Sequence, residues 1–189
     1  MKVTVYGGTN NKHYTSAQKS ACDKLGKYLG SIKADVLTGA CRGFPYFVGK
    51  TAAQHGSRVY GYSPALDLQE HIDRYKFPTD GVTDLVFSKT KYDMAAESFM
   101  QRSIEMTPFS DVVIAMGGSW GTYFELLLSF FYKRTIVLVE EFGGAVEAFN
   151  NTYDFFGSRD VNEEVHFGAN IIRVKNVAEA IKTIESLRK

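Results

Sequence analysis

The sequence predicts an α/β protein of the Rossmann-like, doubly wound class, with a mainly parallel sheet of about seven strands and helices on both faces. Two observations lead to this fold class. Short apolar runs alternate with helical stretches along the 189 residues, and three of those runs lead into glycine-rich loops. A hydrophobic content of 44% with 23% charged residues is ordinary for a globular protein. We therefore expect a single Rossmann-like nucleotide-binding domain over residues 1–189.

The strands are expected at short apolar or β-branched runs. They fall at residues 3–6, 35–37, 58–62, 84–88, 112–116, 135–139 and 171–174. Because helical stretches separate most of them, the connections should be crossovers and the strands parallel. Residues 63–81 are the least regular part and are expected to form a loop with a helical turn. For the aromatic-containing residues 150–165, the sequence leaves open a lid or a fixed helix with a loop.

The charge balance and the start of the chain bear on function and location. The 22 lysines and arginines nearly balance 21 acidic residues, which gives no electrostatic case for nucleic-acid or membrane binding. The chain opens on a strand-like run without a signal peptide, and no apolar run approaches the roughly 18 residues that a membrane span requires. We expect a cytoplasmic protein.

The cysteines and histidines show no metal-ligand spacing. Cys22 and Cys41 lack a Cys-x-x-Cys pattern, so neither a zinc site nor a disulfide framework is indicated. Cys22 is expected to pack in a helix, whereas Cys41 lies in a glycine-rich loop where it could touch a ligand. For the four histidines a surface or packing role is favoured over catalysis: His13, His55, His71 and His166.

Three glycine-rich loops should meet at one edge of the sheet, because ligands of doubly wound sheets bind outside the carboxyl ends of the strands. Glycines let the backbone approach a ligand, and the free N–H groups of a following helix attract a nucleotide phosphate. The loops match neither Gly-x-Gly-x-x-Gly nor a Walker loop, and glycines also serve tight turns that bind nothing. The expected phosphate- and nucleotide-binding residues are Gly7, Gly8, Thr9, Gly39, Arg42, Gly43, Gly118, Ser119, Trp120, Gly121 and Thr122.

Two of these residues leave alternatives open. Arg42 is either a phosphate ligand or a solvated loop charge, since loop arginines are mostly exposed. Trp120 either stacks on a purine or packs against the sheet or a dimer partner.

Glu125 is the candidate catalytic carboxylate. It follows the third glycine loop and precedes an apolar stretch, so it should be desolvated and in need of a partner. The alternative is a capping box, because Thr122 and Glu125 have the Thr-x-x-Glu spacing that satisfies N–H groups at a helix start.

Arg102 is the expected partner of that carboxylate. We place it on a helix over residues 92–106, on the inward stripe with Ala95, Phe99 and Met106. A guanidinium on an inward face must be paired. The alternative is an arginine at the edge of the stripe, reaching solvent or pairing with Glu105.

These motifs together resemble the Lonely Guy family, often mislabelled lysine decarboxylases, within the Rossmann-like SLOG superfamily. The resemblance rests on the Thr-Gly-x-x-x-Gly loop at residues 38–43, on Arg102, and on residues 118–125. The family motif Pro-Gly-Gly-x-Gly-Thr-x-x-Glu is matched at Gly118, Gly121, Thr122 and Glu125. The chain departs from the pattern at three positions, where Pro, the second Gly and the Lys after the arginine are replaced by Gly117, Ser119 and Ser103.

The resemblance implies a phosphoribohydrolase that cleaves the N-glycosidic bond of a nucleoside 5′-monophosphate, releasing a free purine-type base and ribose 5-phosphate. Glu125 would stabilise the oxocarbenium-like transition state or orient water. Arg102 would hold the phosphate or the charge of the departing base. Residues 118–122 would cradle the phosphate, and Gly39 and Gly43 would let the second loop approach the nucleotide. The scheme requires no cofactor and no metal.

A second hypothesis is a non-catalytic nucleotide or molybdenum-cofactor carrier that uses the same cleft. It arises because superfamily relatives bind a molybdenum cofactor, single-stranded DNA or nucleotide signals without this hydrolysis. Lysine decarboxylation is rejected, since no lysine lies in a pyridoxal-type context.

A homodimer is expected from the apolar helix at residues 124–132. It is apolar around its whole circumference, so one face needs cover that a single subunit does not obviously supply. The family resemblance implies the same. The alternative is complete burial within one subunit.

Overall fold

Seven strands form one all-parallel sheet in the computed structural model, which describes residues 1–9, 14–156 and 169–188. The order across the sheet is β4-β3-β2-β1-β5-β6-β7. The strands are β1 (Lys2–Gly7), β2 (Asp35–Thr38), β3 (Val59–Ser63), β4 (Asp84–Phe87), β5 (Val112–Met116), β6 (Thr135–Val139) and β7 (Ile171–Val174). Each lies within one residue of its predicted bounds, and the predicted Rossmann-like fold class is confirmed.

Helices cover both faces of the sheet. They are α1 (Ser16–Ser31), α2 (Phe44–Gln54), α3 (Leu68–Asp73), α4 (Ala95–Met106), α5 (Trp120–Phe131), α6 (Ala145–Phe156) and α7 (Val177–Leu187). Short 3-10 turns occur at Thr107–Phe109 and Glu140–Phe142. Helices α1, α2 and α7 bury their apolar stripes on one face, while α4, α5 and α6 bury theirs on the other.

The alternation of side chains along the strands builds these two cores. Val3 and Val5 of β1 belong to the core under α1, α2 and α7, whereas Tyr6 belongs to the opposite core. In β5, Ile114 packs on the first side and Val113 on the second. Because both faces are covered, β5 is buried along its whole length, as its continuous apolar run predicts.

The order of the strands reverses between β1 and β5, which pair in register from Val3 with Val112 to Gly7 with Met116. The connections that follow these two strands lead to opposite sides of the sheet. A crevice therefore opens at the carboxyl ends of β1 and β5, where doubly wound sheets bind their ligands.

The starts of two helices differ from the predictions. Helix α4 begins at Ala95 rather than residue 92, and Ala95 is exposed instead of lying on the inward stripe. Helix α5 begins at Trp120, four residues before the apolar run that predicted it. Residues 63–81 form a loop containing the short helix α3, as expected. Of the segment 150–165, the part up to Phe156 is the end of α6, and residues 157–165 lie outside the described residues.

No helix in the described part of the chain combines the length and apolar character needed to cross a membrane.

Both cysteines are free thiols, and Cys22 is buried on α1 as predicted.

Candidate functional site

A pocket of about 710 Å³ opens at the carboxyl ends of the central strands, beside the start of α5. It collects residues from all three glycine-rich loops and from α4. The predicted site residues that line it are Gly7, Thr9, Gly39, Arg42, Arg102, Ser119, Trp120, Gly121, Thr122 and Glu125. Gly8, Gly43 and Gly118 lie behind this surface and do not line it.

Arg102 and Glu125 form a buried ion pair at this pocket. Arg102 Nη2 donates to Glu125 Oε1 at 2.8 Å, and Nη1 donates to the carbonyl oxygen of Gly39 at 3.0 Å. Each residue is only 7% exposed. The alternative pairing of Arg102 with Glu105 is therefore wrong, because the inward stripe of α4 directs the guanidinium toward α5 and the second loop.

The capping-box alternative for Glu125 is also wrong. Helix α5 starts at Trp120 with Ser119 as its N-cap, which places Thr122 inside the first turn. Thr122 Oγ1 donates to the carbonyl oxygen of Gly7 at 3.3 Å instead of capping α5. Glu125 is one turn further along the helix, and its side chain crosses to α4.

The two carboxylate oxygens of Glu125 have different surroundings. Oε1 accepts from Arg102 and lies 3.0 Å from Ser103 Oγ, whereas no described residue hydrogen-bonds to Oε2. Burial raises the pKa of Glu125, and the charge of Arg102 and the hydrogen bonds from Ser103 and Arg102 oppose that rise. The result is a partly desolvated carboxyl group with one oxygen left for a ligand or a water molecule.

The first turn of α5 supplies free amide groups at the same pocket. The N–H groups of Ser119, Trp120, Gly121 and Thr122 donate to no described residue. Gly121 has open space where a side chain would project, with no atom within 4 Å of an added Cβ. Free amides at a helix start attract anions, so this turn suits a phosphate group.

Glycines of the first two loops serve the packing of the site. A Cβ at Gly39 would lie 2.6 Å from Arg102 Nη1, so the missing side chain makes room for the guanidinium. A Cβ at Gly43 would lie 2.0 Å from the carbonyl oxygen of Gly8, which accepts from the amide of Phe44 at 3.0 Å. Both glycines therefore allow close packing within the protein, and their role in bringing the second loop to a nucleotide stays a prediction.

Thr9, Arg42 and Trp120 stand at the exposed rim of the pocket. Trp120 is 88% exposed, so the alternative in which it packs against the sheet of its own subunit is wrong. No ion pair involves Arg42 within the described residues, which leaves its guanidinium available to an anion in the pocket.

Sequence reasoning missed several residues of the site. Ser103 was noted only as a departure from the family motif, yet its hydroxyl contacts both Arg102 and Glu125. Its position directly after Arg102 was the available signal. An apolar side of the pocket is formed by Tyr75, Phe77, Ala96, Phe99 and Met100. Phe99 was placed on the inward stripe of α4, but its meeting with Tyr75 and Phe77 had no sequence signal, because it joins a loop to a helix distant in sequence.

The two histidines that the structure describes, His55 and His71, have packing roles. His71 is fully buried and His55 Nδ1 lies 2.8 Å from the carbonyl oxygen of Thr51; His13 and His166 lie outside the described residues. Cys41 lines the pocket, and burial raises the pKa of its thiol. Within residues 1–9, 14–156 and 169–188, no three His, Cys, Asp or Glu side chains come together as metal ligands.

Comparison with solved structures gives the same fold at low sequence identity. TM1055 matches with a TM-score of 0.74 and 22% identity over 98% of both chains. The molybdenum cofactor binding protein of the phototrophic bacterium Rippkaea orientalis matches with a TM-score of 0.72 and 18% identity, over 100% of this chain and 97% of that one. DNA processing protein A of Helicobacter pylori, described by its single-stranded DNA binding mode, matches with a TM-score of 0.67 and 16% identity, over 98% and 80%.

Sequence comparison identifies a family but no curated relative. No curated protein matches the chain. The model of the SLOG cluster4 family matches residues 1–181. This match covers every glycine loop and both members of the buried ion pair, and the chain belongs to the SLOG cluster4 family.

Proposed function

We propose that the chain is a phosphoribohydrolase that binds a nucleoside 5′-monophosphate and hydrolyses its N-glycosidic bond. The observation that carries this proposal is the different hydrogen bonding of the two carboxylate oxygens of Glu125. One carboxylate oxygen is fixed by Arg102 and Ser103, while the other has no described partner and belongs to a residue lining the pocket. A carboxylate held in this way is suited to act on a ligand, because its position is already fixed.

The phosphate end of the ligand is assigned to the first turn of α5. Its free amides and the partial positive charge of the helix start favour an anion, and Gly121 leaves the approach open. Arg42 at the rim supplies a full positive charge. Arg102 is engaged by Gly39 and Glu125, so its role in this proposal is to hold the carboxylate rather than the phosphate.

The chemical step requires few protein groups. The C1′–N bond breaks with its electron pair leaving on the base, and positive charge develops on the ribose. Oε2 of Glu125 orients a water molecule and accepts its proton as the water oxygen bonds to C1′. The departing base takes up a proton from solvent, Glu125 returns the proton of the water molecule to solvent, and the products are the free base and ribose 5-phosphate. A fixed negative charge beside C1′ stabilises the positive transition state.

A second candidate is a non-catalytic carrier of a nucleotide or of molybdenum cofactor. The fold match to the Rippkaea orientalis protein favours it. Ser103 favours it too, because this uncharged residue stands where the Lonely Guy motif has a lysine after the arginine. The cofactor's phosphate and flat pterin ring would use the same amides and apolar wall as a nucleotide. The near-neutral charge of the chain does not favour the DNA binding named for the Helicobacter pylori protein.

Incubation with a panel of nucleoside 5′-monophosphates, followed by chromatography for free base, tests the proposal. We expect base release from at least one purine substrate. Glu125→Gln should lower kcat by about a hundredfold or more while changing KM little, because the amide still accepts from Arg102 but cannot take a proton. Glu105→Gln, at a half-buried carboxylate of α4 that does not line the pocket, is the matched control and should leave kcat unchanged.

The pH dependence gives a second readout. Because burial raises the pKa of Glu125 above its ordinary value of 4.5, kcat should fall on acidification with a midpoint above that value. Binding of nucleotides without release of base from any of them would instead support the carrier.

A further inference from the structure

One side of the pocket is a cluster of three aromatic rings. Tyr75 and Phe77, from the loop after α3, are stacked with centroids 5.6 Å apart and planes inclined by 24°. Phe99 of α4 meets Tyr75 at 5.6 Å and Phe77 at 6.2 Å, edge to face in both cases. All three side chains are half-buried and line the pocket. We call Tyr75, Phe77 and Phe99 the aromatic wall.

The aromatic wall continues into the buried ion pair. The guanidinium of Arg102 lies over the ring of Phe99 at 5.4 Å from its centroid. A ligand whose phosphate is at the first turn of α5 and whose ribose is near Glu125 would therefore extend its remaining part along apolar rings. The one polar group of these three rings is the Tyr75 hydroxyl, which has no hydrogen-bond partner among the described residues. Aromatic faces bind flat rings by stacking.

His71 supports the aromatic wall from behind. It is fully buried, contacts Phe77 edge to face at 5.6 Å, and also contacts Phe87 at 6.5 Å. Its Nδ1 lies 2.8 Å from Ser63 Oγ, and its Nε2 lies 3.3 Å from the carbonyl oxygen of Pro78. Ser63 Oγ already accepts from the amide of Ala65 at 3.1 Å. Because the Pro78 carbonyl can only accept, the ring hydrogen of neutral His71 is assigned to Nε2, and Nδ1 accepts from the Ser63 hydroxyl.

We propose that the aromatic wall is the subsite for a flat heterocyclic ring and that His71 is its positioning residue. The proposal deepens the proposed function and rests on it for the placement of phosphate and ribose. His71 joins the end of β3 to the loop that carries Tyr75 and Phe77, so the two hydrogen bonds fix the loop against the sheet. The ring class that fits is a purine or a pterin, bound through its faces.

Calorimetric titration with split ligands tests the subsite. Adenine and pterin report on the ring end, and ribose 5-phosphate reports on the phosphate end. We expect Phe77→Ala to weaken adenine or pterin binding about tenfold and to leave ribose 5-phosphate binding unchanged. Phe87→Ala is the matched control, because Phe87 contacts the same histidine but does not line the pocket. It should leave the binding of all three ligands unchanged.

The possible results separate the two proposals. If only ribose 5-phosphate fails to bind, the result counts against the proposed phosphate site. The aromatic wall would still be supported in that case if Phe77→Ala loses the binding of adenine or pterin. Absence of adenine and pterin binding to the wild-type protein at millimolar concentration would overturn the subsite. Equal weakening of ring and phosphate ligands by Phe77→Ala would overturn it too.

Two variants test the positioning role of His71. His71→Leu should weaken the ring ligands about threefold or more with ribose 5-phosphate unaffected, because Phe77 loses its support. His71→Gln retains an N–H donor for Pro78 and should recover part of the ring affinity. A merely structural histidine would lower the melting temperature in His71→Leu without this selective loss, and that result would contradict the positioning role.

Discussion

Glu125 and Arg102 depend on each other at the scale of single residues. Both charges are largely shielded from water, since each residue is only 7% exposed, and the guanidinium is fixed further by the carbonyl oxygen of Gly39. Removing one partner of a buried ion pair is costly, because the other is left desolvated and unpaired. The pair is therefore a structural element of the pocket as well as a candidate for its chemistry.

Arg102→Met should lower the free energy of unfolding by about 3–5 kcal/mol at pH 7.5. Without the arginine, the pKa of Glu125 rises further, so its folded-state pKa exceeds the unfolded value of about 4.3. The penalty is fully present above the folded-state pKa and shrinks as the pH falls toward the unfolded value. Urea unfolding at pH 7.5 and pH 5 should show a smaller difference from wild type at pH 5.

Arg58→Met is the control for that experiment. Arg58 makes an exposed ion pair with Asp84, with Nη2 2.9 Å from Oδ1, and its loss should cost no more than about 1 kcal/mol. A pH-independent destabilisation in Arg102→Met would contradict the account of Glu125.

At the scale of elements, the start of α5 is fixed by contacts outside the helix. Gly118 adopts a φ of 95°, which allows the sharp turn out of β5. Thr122 then contacts the carbonyl oxygen of Gly7 at the end of β1. These contacts hold the free amides at the switch between β1 and β5, so the strand order determines where an anion would bind.

Gly121→Ala should separate helix stability from ligand binding. The position is within α5, its φ is not positive, and an added Cβ would meet no atom within 4 Å. Alanine should therefore raise the free energy of unfolding by about 0.5 kcal/mol. The same methyl group would cover the free amides and weaken the binding of ribose 5-phosphate. Thermal unfolding and calorimetry measure the two effects, and unchanged phosphate binding would argue against the assigned phosphate site.

At the scale of the whole molecule, the described helices leave an apolar surface beside the pocket. Met100 and Ile104 lie one turn apart on α4 and are exposed, and Trp120 is exposed at the same pocket rim. We propose that a second copy of the chain covers this surface, as the apolar character of α5 also suggests. The pocket rim would then lie near the subunit interface.

Size-exclusion chromatography with light scattering should give about 42 kDa at micromolar concentration, twice the chain mass of 21.1 kDa. Ile104→Glu should yield monomers, because a charge at a buried interface is left unpaired. Ile72→Glu, on exposed α3, should leave the dimer intact. A wild-type species of about 21 kDa would show that the apolar surface is not a dimer interface.

The fold class followed from the sequence alone, and most of the site residues chosen from the sequence line the candidate pocket. Apolar periodicity is a local property of the chain, so the strands were placed within one residue and Arg102 was assigned to the inward side of α4. The three glycine loops were brought to one edge by the general geometry of parallel sheets. The family resemblance named Glu125.

The contacts between distant residues came from the folded structure. It confirmed the expected contact between Arg102 and Glu125, 23 residues apart in sequence, and turned Ser103 from a missing lysine into a hydrogen-bonding partner. It also showed that Gly39 makes room for a guanidinium and that Tyr75 and Phe77 meet Phe99. Such contacts depend on distances across the sheet, which no local pattern encodes, because they are set by how whole helices and loops pack on the strands.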